Sequence, residues 1–78
     1  MSEQRLASDQ HAHARRVALL AWMRDQPRVA LTTREIRNDS GLYDGRSHGI
    51  TNYDLDALRR HGLIRHPSHG FWRVADVR

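Results

Sequence analysis

Arg34 and Arg37 stand three positions apart, Arg46 and His48 two apart, and the run Thr51-Asn52-Tyr53 follows. Further on come Arg59, Arg65, His69 and Arg73. A guanidinium group pairs with phosphate through a planar two-point fork, and an asparagine amide presents a donor beside an acceptor. The chemistry these residues offer is recognition of a polyanion, and a nucleic acid is the first partner to consider.

Formal net charge is +4, and all 13 basic residues are arginine. A GC-rich coding bias would also replace lysine with arginine, but it leaves the net charge unexplained. No Gly-rich phosphate loop, nucleophile elbow or paired-acid constellation is present, and Gly45-Arg46-Ser47-His48-Gly49 lacks the lysine of a P-loop. No catalytic residue and no cofactor is therefore expected. Among the 6 histidines, His11 and His13 are two apart and His61, His66 and His69 fall late. Neither group makes an i, i+4 pair or comes with a cysteine, so no metal site is expected, and a proton dependence of binding is the simpler consequence.

The elements that must hold these residues come from 78 residues, enough for one core. Hydrophobic residues make up 38 % of the chain and cysteine is absent, so packing or a partner has to stabilise it. The start lacks a leader-like apolar run and no stretch approaches a membrane span, which predicts a cytoplasmic protein with no membrane contact. Residues 1–8 read as a flexible tail in which Arg5 is the one arginine, 9–75 as the domain, and 76–78 as a second tail.

A first helix is predicted from a Ser8 cap, with Asp9 in its first turn, to about Gln26. Its stripe is Val17, Leu20, Ala21 and Arg24, with Ala14, Ala18 and Trp22 adjoining; Arg15, Arg16 and Asp25 face outward and Pro27 ends the helix. Arg28 to Thr32 reads as a brief strand. Thr32 and Glu35 match a capping box, opening a short helix from Thr33 to about Asp39 with Ile36 as its main buried contact. Gly41 to Gly49 is a loop whose sizeable apolar groups are Leu42 and Tyr43. A third helix begins between Ser47 and Thr51, turns Ile50, Thr51, Leu55 and Leu58 inward, and ends where Gly62 takes a left-handed conformation. Leu63 to His66, Pro67 to Gly70 and Phe71 to Val74 read as strand, turn and strand. Trp22 and Trp72 are assigned to packing, because aromatics at such spacings are more often core than stacking platforms for single strands.

The order helix, short strand, short helix, loop, helix, hairpin resembles a winged helix-turn-helix domain. The stretch Leu55-Asp56-Ala57-Leu58-Arg59-Arg60-His61-Gly62-Leu63-Ile64-Arg65 is similar to the place where its recognition helix runs into the wing, and Leu31-Thr32-Thr33-Arg34-Glu35-Ile36 looks like the start of helix two in many bacterial regulators. Asn52-Tyr53, Gly62-Leu63 and Gly70-Phe71-Trp72-Arg73-Val74 also resemble the N-terminal winged-helix domain of Mrr-type restriction endonucleases, a module without the cutting domain. The fold class implied is α+β, mostly helical.

The resemblance implies double-stranded DNA as partner, in a small bacterial or phage transcription regulator. The third helix would lie in the major groove with His48, Thr51, Asn52 and Tyr53 near base edges, Asn52 pairing with adenine. Arg34, Arg37 and Arg46 would meet phosphates, Arg59 lies further along the third helix, and Arg65, His66, His69 and Arg73 would bracket a wing touching the backbone or minor groove. Asp54 and Asp56 oppose this, since carboxylates on an exposed recognition face repel phosphate. A homodimer through Leu19, Leu20 or Trp22 would read two half-sites about one helical turn apart. The alternatives are a protein-docking module, such as an inhibitor of a nucleic-acid enzyme, and a recombination directionality factor that bends its site.

Overall fold

The computed structural model describes residues 6–75; Arg5 and the expected tail at 76–78 lie outside the described residues. Among those described, three helices and a three-stranded antiparallel sheet run in the order α1 (Gln10–Arg24), β1 (Leu31–Thr32), α2 (Thr33–Asp39), α3 (His48–Arg60), β2 (Ile64–Ser68) and β3 (Phe71–Val74). The architecture is α+β, mostly helical, with a hairpin directly after the third helix, as expected.

Helix α1 starts one residue later than expected, because the Asp9 side chain, not Ser8, caps it by accepting from the His11 amide at 3.2 Å. Its buried face is Ala12, Leu19, Leu20 and Met23. The expected stripe is rotated: of its members only Leu20 is buried, while Val17 is 47 % exposed and Ala14, Ala21 and Arg24 face solvent. The expected tail is also shorter at its inner end. Leu6 is buried in the core, its amide donates to His13 Nδ1 at 3.1 Å, and its carbonyl accepts from Arg16 at 2.6 Å. Of the residues considered for a dimer contact, Leu19 and Leu20 are core residues and Trp22 is half-buried.

Strand β1 covers only Leu31–Thr32, since its pairing with β3 ends at Leu31↔Trp72 and Thr32↔Phe71 and Thr32 turns at once into α2. The capping box is complete: Thr32 Oγ1 accepts from the Glu35 amide at 3.1 Å and Glu35 Oε1 accepts from the Thr32 amide at 2.9 Å. Together such paired donors stabilise a helix start by about 1 kcal/mol. Trp72 Nε1 donates to Thr33 Oγ1 at 2.8 Å, so the same helix start is tied to the sheet.

The C-terminus of α3 closes on Gly62, whose φ of +76° is a conformation that a Cβ disfavours. There the Gly62 amide donates to Arg59 O at 2.9 Å and the Leu63 amide to Leu58 O at 3.0 Å, which satisfies carbonyls the helix end would leave open and swings the chain into β2. The hairpin then returns, Ile64↔Val74 and Arg65↔Arg73 in register, with an irregularity between Arg65 and Ser68 that accommodates Pro67 on the edge strand. Ile64 and Trp72 close the core over Leu55, Leu58 and Ile36.

Candidate nucleic-acid interface

The outward face of α3 is set by which of its residues the core takes. Thr51, Asp54, Leu55 and Leu58 are buried, which leaves His48, Gly49, Asn52, Tyr53, Arg59 and Arg60 in solvent. At 3.6 residues per turn these exposed positions form one continuous band along the helix. Tyr53 is 69 % exposed, a large ring held in water.

On one side of that band, His48 shares a groove with Thr33, Arg34, Arg37 and Asn38 of α2. On the other side an open cleft of about 810 Å³ separates α3 from the hairpin, and Asn52, Arg59, Arg65 and His66 are among its walls. The His66 imidazole stacks on the Trp72 indole, centroids 4.0 Å apart and planes within 3°, so a polar ring is held over the cleft by a core residue. Asn52 and Tyr53 lie between these two recesses, together with Gly49 and Asp56.

The cations around this face differ in how committed they already are. Arg37 donates to the carbonyls of Arg46, at 3.1 Å, and Ser47, at 3.4 Å, pinning the loop that leads into α3. Arg59 and Arg60 are held by Asp56, at 2.8 and 2.6 Å. The hydrogen bonds from Arg59 and Arg60 also hold the Asp56 carboxyl below the usual carboxylate range. By contrast, Arg34, Arg46, Arg65, Arg73 and Arg24 have no hydrogen-bonded or ionic partner for their guanidinium groups among the described residues.

Two expectations from the sequence are corrected. Thr51 is 1 % exposed and faces the core, so it is closed to any ligand, and its hydroxyl finds no partner among the described residues. Asp54 is not on the exposed face of α3. It is fully buried, and Arg15 and Arg16, expected on the outside of α1, turn inward to reach it: Arg15 Nε donates to Oδ2 at 2.5 Å and Arg16 Nε to Oδ1 at 2.7 Å. Tyr43, from the loop before α3, completes the site by donating its hydroxyl to Asp54 Oδ2 at 2.8 Å. Burial by itself would raise the Asp54 carboxyl, but the hydrogen bonds from Arg15, Arg16 and Tyr43 outweigh it and hold the group below its ordinary value. The Tyr43 hydroxyl is pushed well above its ordinary value, first by burial and then by its bond to the anionic Asp54.

His48, Asn52, Tyr53, Arg59, Arg65 and the α2 arginines are thus gathered along one band with its two flanking recesses. His69 is exposed in the turn at the hairpin tip, and Arg46 is exposed ahead of α3. Arg73 is placed elsewhere: it lines a groove with Arg24, Arg28 and Val29 that shares no wall with the other recesses. His66, placed at the wing by the sequence reading, is held in the cleft by its stack on Trp72, whereas Arg24, which lies outside on a helix face assigned to the core, was missed. No group of acidic, histidine or cysteine residues arranged to hold a metal occurs among the described residues, and no described helix is long and apolar enough to cross a membrane. The chain matches no protein-family model, curated protein or solved structure in comparisons with each.

Proposed function

We propose that this chain binds double-stranded DNA in the manner of a winged helix-turn-helix protein, with α3 in the major groove and the hairpin against the adjoining backbone, and that it serves as a small transcription regulator rather than an enzyme. The observation that carries the reading is the exposed band His48-Asn52-Tyr53, flanked on both sides by arginines with no partner among the described residues, Arg34 and Arg46 toward α2 and Arg65 on the hairpin. A helix with cations beside it on two sides matches a groove bordered by two phosphate strands.

Burial of Asp54 supports the reading, because the carboxylate that would have faced phosphate is inside the protein and already paired. Asp56 remains on that face, but Arg59 and Arg60 bracket it, so the local charge is positive. Asn52 is then the side chain that reads sequence, while Arg34, Arg46 and Arg65 position the helix.

The test is titration of a labelled random-sequence duplex, followed by fluorescence anisotropy at several salt concentrations. Binding whose log affinity falls linearly with log salt is the expected result. Absence of binding at low salt overturns the proposal.

A further inference from the structure

The groove away from α3 has a different character. It lies between the end of α1, the segment after it and β3; Pro27, Val29 and Val74 supply apolar surface, and Arg24, Arg28 and Arg73 stand around it. Val29 is 66 % exposed, although it is a β-branched hydrocarbon in a chain whose hydrophobic share is only 38 %. Arg28 pairs with Glu35, whereas Arg24 and Arg73 have no partner among the described residues. Arg73 sits across the hairpin from Arg65, with Arg65 lining the α3 cleft and Arg73 lining this groove.

We propose that this groove is a second interaction surface, distinct from the α3 face, and that it takes a short acidic peptide segment of a partner protein carrying an apolar side chain. The carboxylates of the peptide pair with Arg24 and Arg73, and its apolar side chain covers Val29 and Val74. Charge complementarity sets the sign of the partner, and the apolar floor favours a peptide over nucleic acid, since a phosphate backbone has nothing to place on Val29. A DNA-bound protein would thereby keep a free face for a protein partner.

The experiment is an NMR titration of the full chain, labelled with ¹⁵N, using a short peptide of aspartate and glutamate that carries one leucine and one phenylalanine. The same peptide with serine in place of the apolar pair, and a DNA duplex, serve as comparison probes. The expected result is movement of the amides of Arg24, Val29, Arg73 and Val74 with the first peptide. Affinity should weaken at least tenfold for the serine peptide and for the double substitution Arg24→Glu with Arg73→Glu. Both arginines are exposed, so the fold should survive, and Val29→Asp gives an independent variant with the same expected loss. No shift in the groove, equal binding of the serine peptide, or tighter engagement of these amides by the duplex overturns the proposal. Duplex binding at the α3 face is read from other amides, Asn52 and Tyr53, so either conclusion can fail alone.

Discussion

Arg15 holds Asp54 through a two-point contact across 39 positions of sequence, Nε to Oδ2 at 2.5 Å and Nη2 to Oδ1 at 2.9 Å. With Arg16 and Tyr43 on the same carboxylate, this contact joins α1, the loop before α3 and α3 itself. The orientation of the exposed band on α3 is fixed by that junction, because rotating the helix would break it.

Asp54→Asn is expected to cost about 3 kcal/mol, the low end for breaking a buried ion pair, because Arg15 and Arg16 retain enough exposure to regain some water. Urea denaturation followed by tryptophan fluorescence measures it. Asp56→Asn, which loses a pairing made in solvent, should leave the midpoint nearly unchanged. Equal effects of the two substitutions would contradict the assigned role of Asp54.

Stability should fall in acid for the same reason. The Asp54 pKa is depressed in the folded state, so its contribution is fully present above the unfolded carboxylate value and is lost as pH falls through the lower folded one. Denaturation midpoints taken from neutral pH down into the acid range should decline for the parent chain and decline less steeply for Asp54→Asn. Tyr43 acts at the other end. Its raised pKa contributes stability that is complete below the ordinary phenol value and lost as pH rises above it.

Tyr43→Phe removes a hydroxyl that donates to a buried anion and should cost about 2 kcal/mol. Combined with Asp54→Asn the losses should not add; a coupling on the order of 1 kcal/mol is expected from the double-mutant cycle. Additive losses would mean that the hydroxyl and the carboxylate act separately.

On the DNA-binding proposal, Asn52→Ala should cost about 1–3 kcal/mol on a selected site and relax base preference at one position, with the salt dependence unchanged. Arg34→Ala should instead weaken binding to every duplex alike and reduce the salt slope by about one. Selection from a randomised duplex pool, followed by salt titration of each variant, separates the two behaviours.

Local signals were enough for much of the scaffold. The Thr32–Glu35 capping box, the left-handed Gly62 and the turn ending in Gly70 are each encoded within a few residues, by hydrogen bonding or by tolerance of positive φ. Ile36, Leu55 and Leu58 could be assigned to the core because apolar side chains at helical spacing have one favourable direction. Exposure of His48, Asn52 and Tyr53 follows from the same periodicity on α3.

The face of α1 and the fate of Asp54 were decided only in three dimensions. Positions 12, 15, 16, 19, 20 and 23 make one inward stripe, but two of them are arginines, and a hydrophobic pattern sends arginines to water. Their cost of burial is offset by a carboxylate nearly forty residues away, which no local window contains. Tyr43 is drawn inside by the same anion, and Arg24 is left outside once the stripe has turned. Sequence alone determined the capped start of α2 and the hand-over from α3 to the hairpin, because those choices rest on backbone groups within a turn or two. Tertiary structure decided which charges are spent holding the fold and which remain free, because a charge is buried only where its distant partner arrives to meet it.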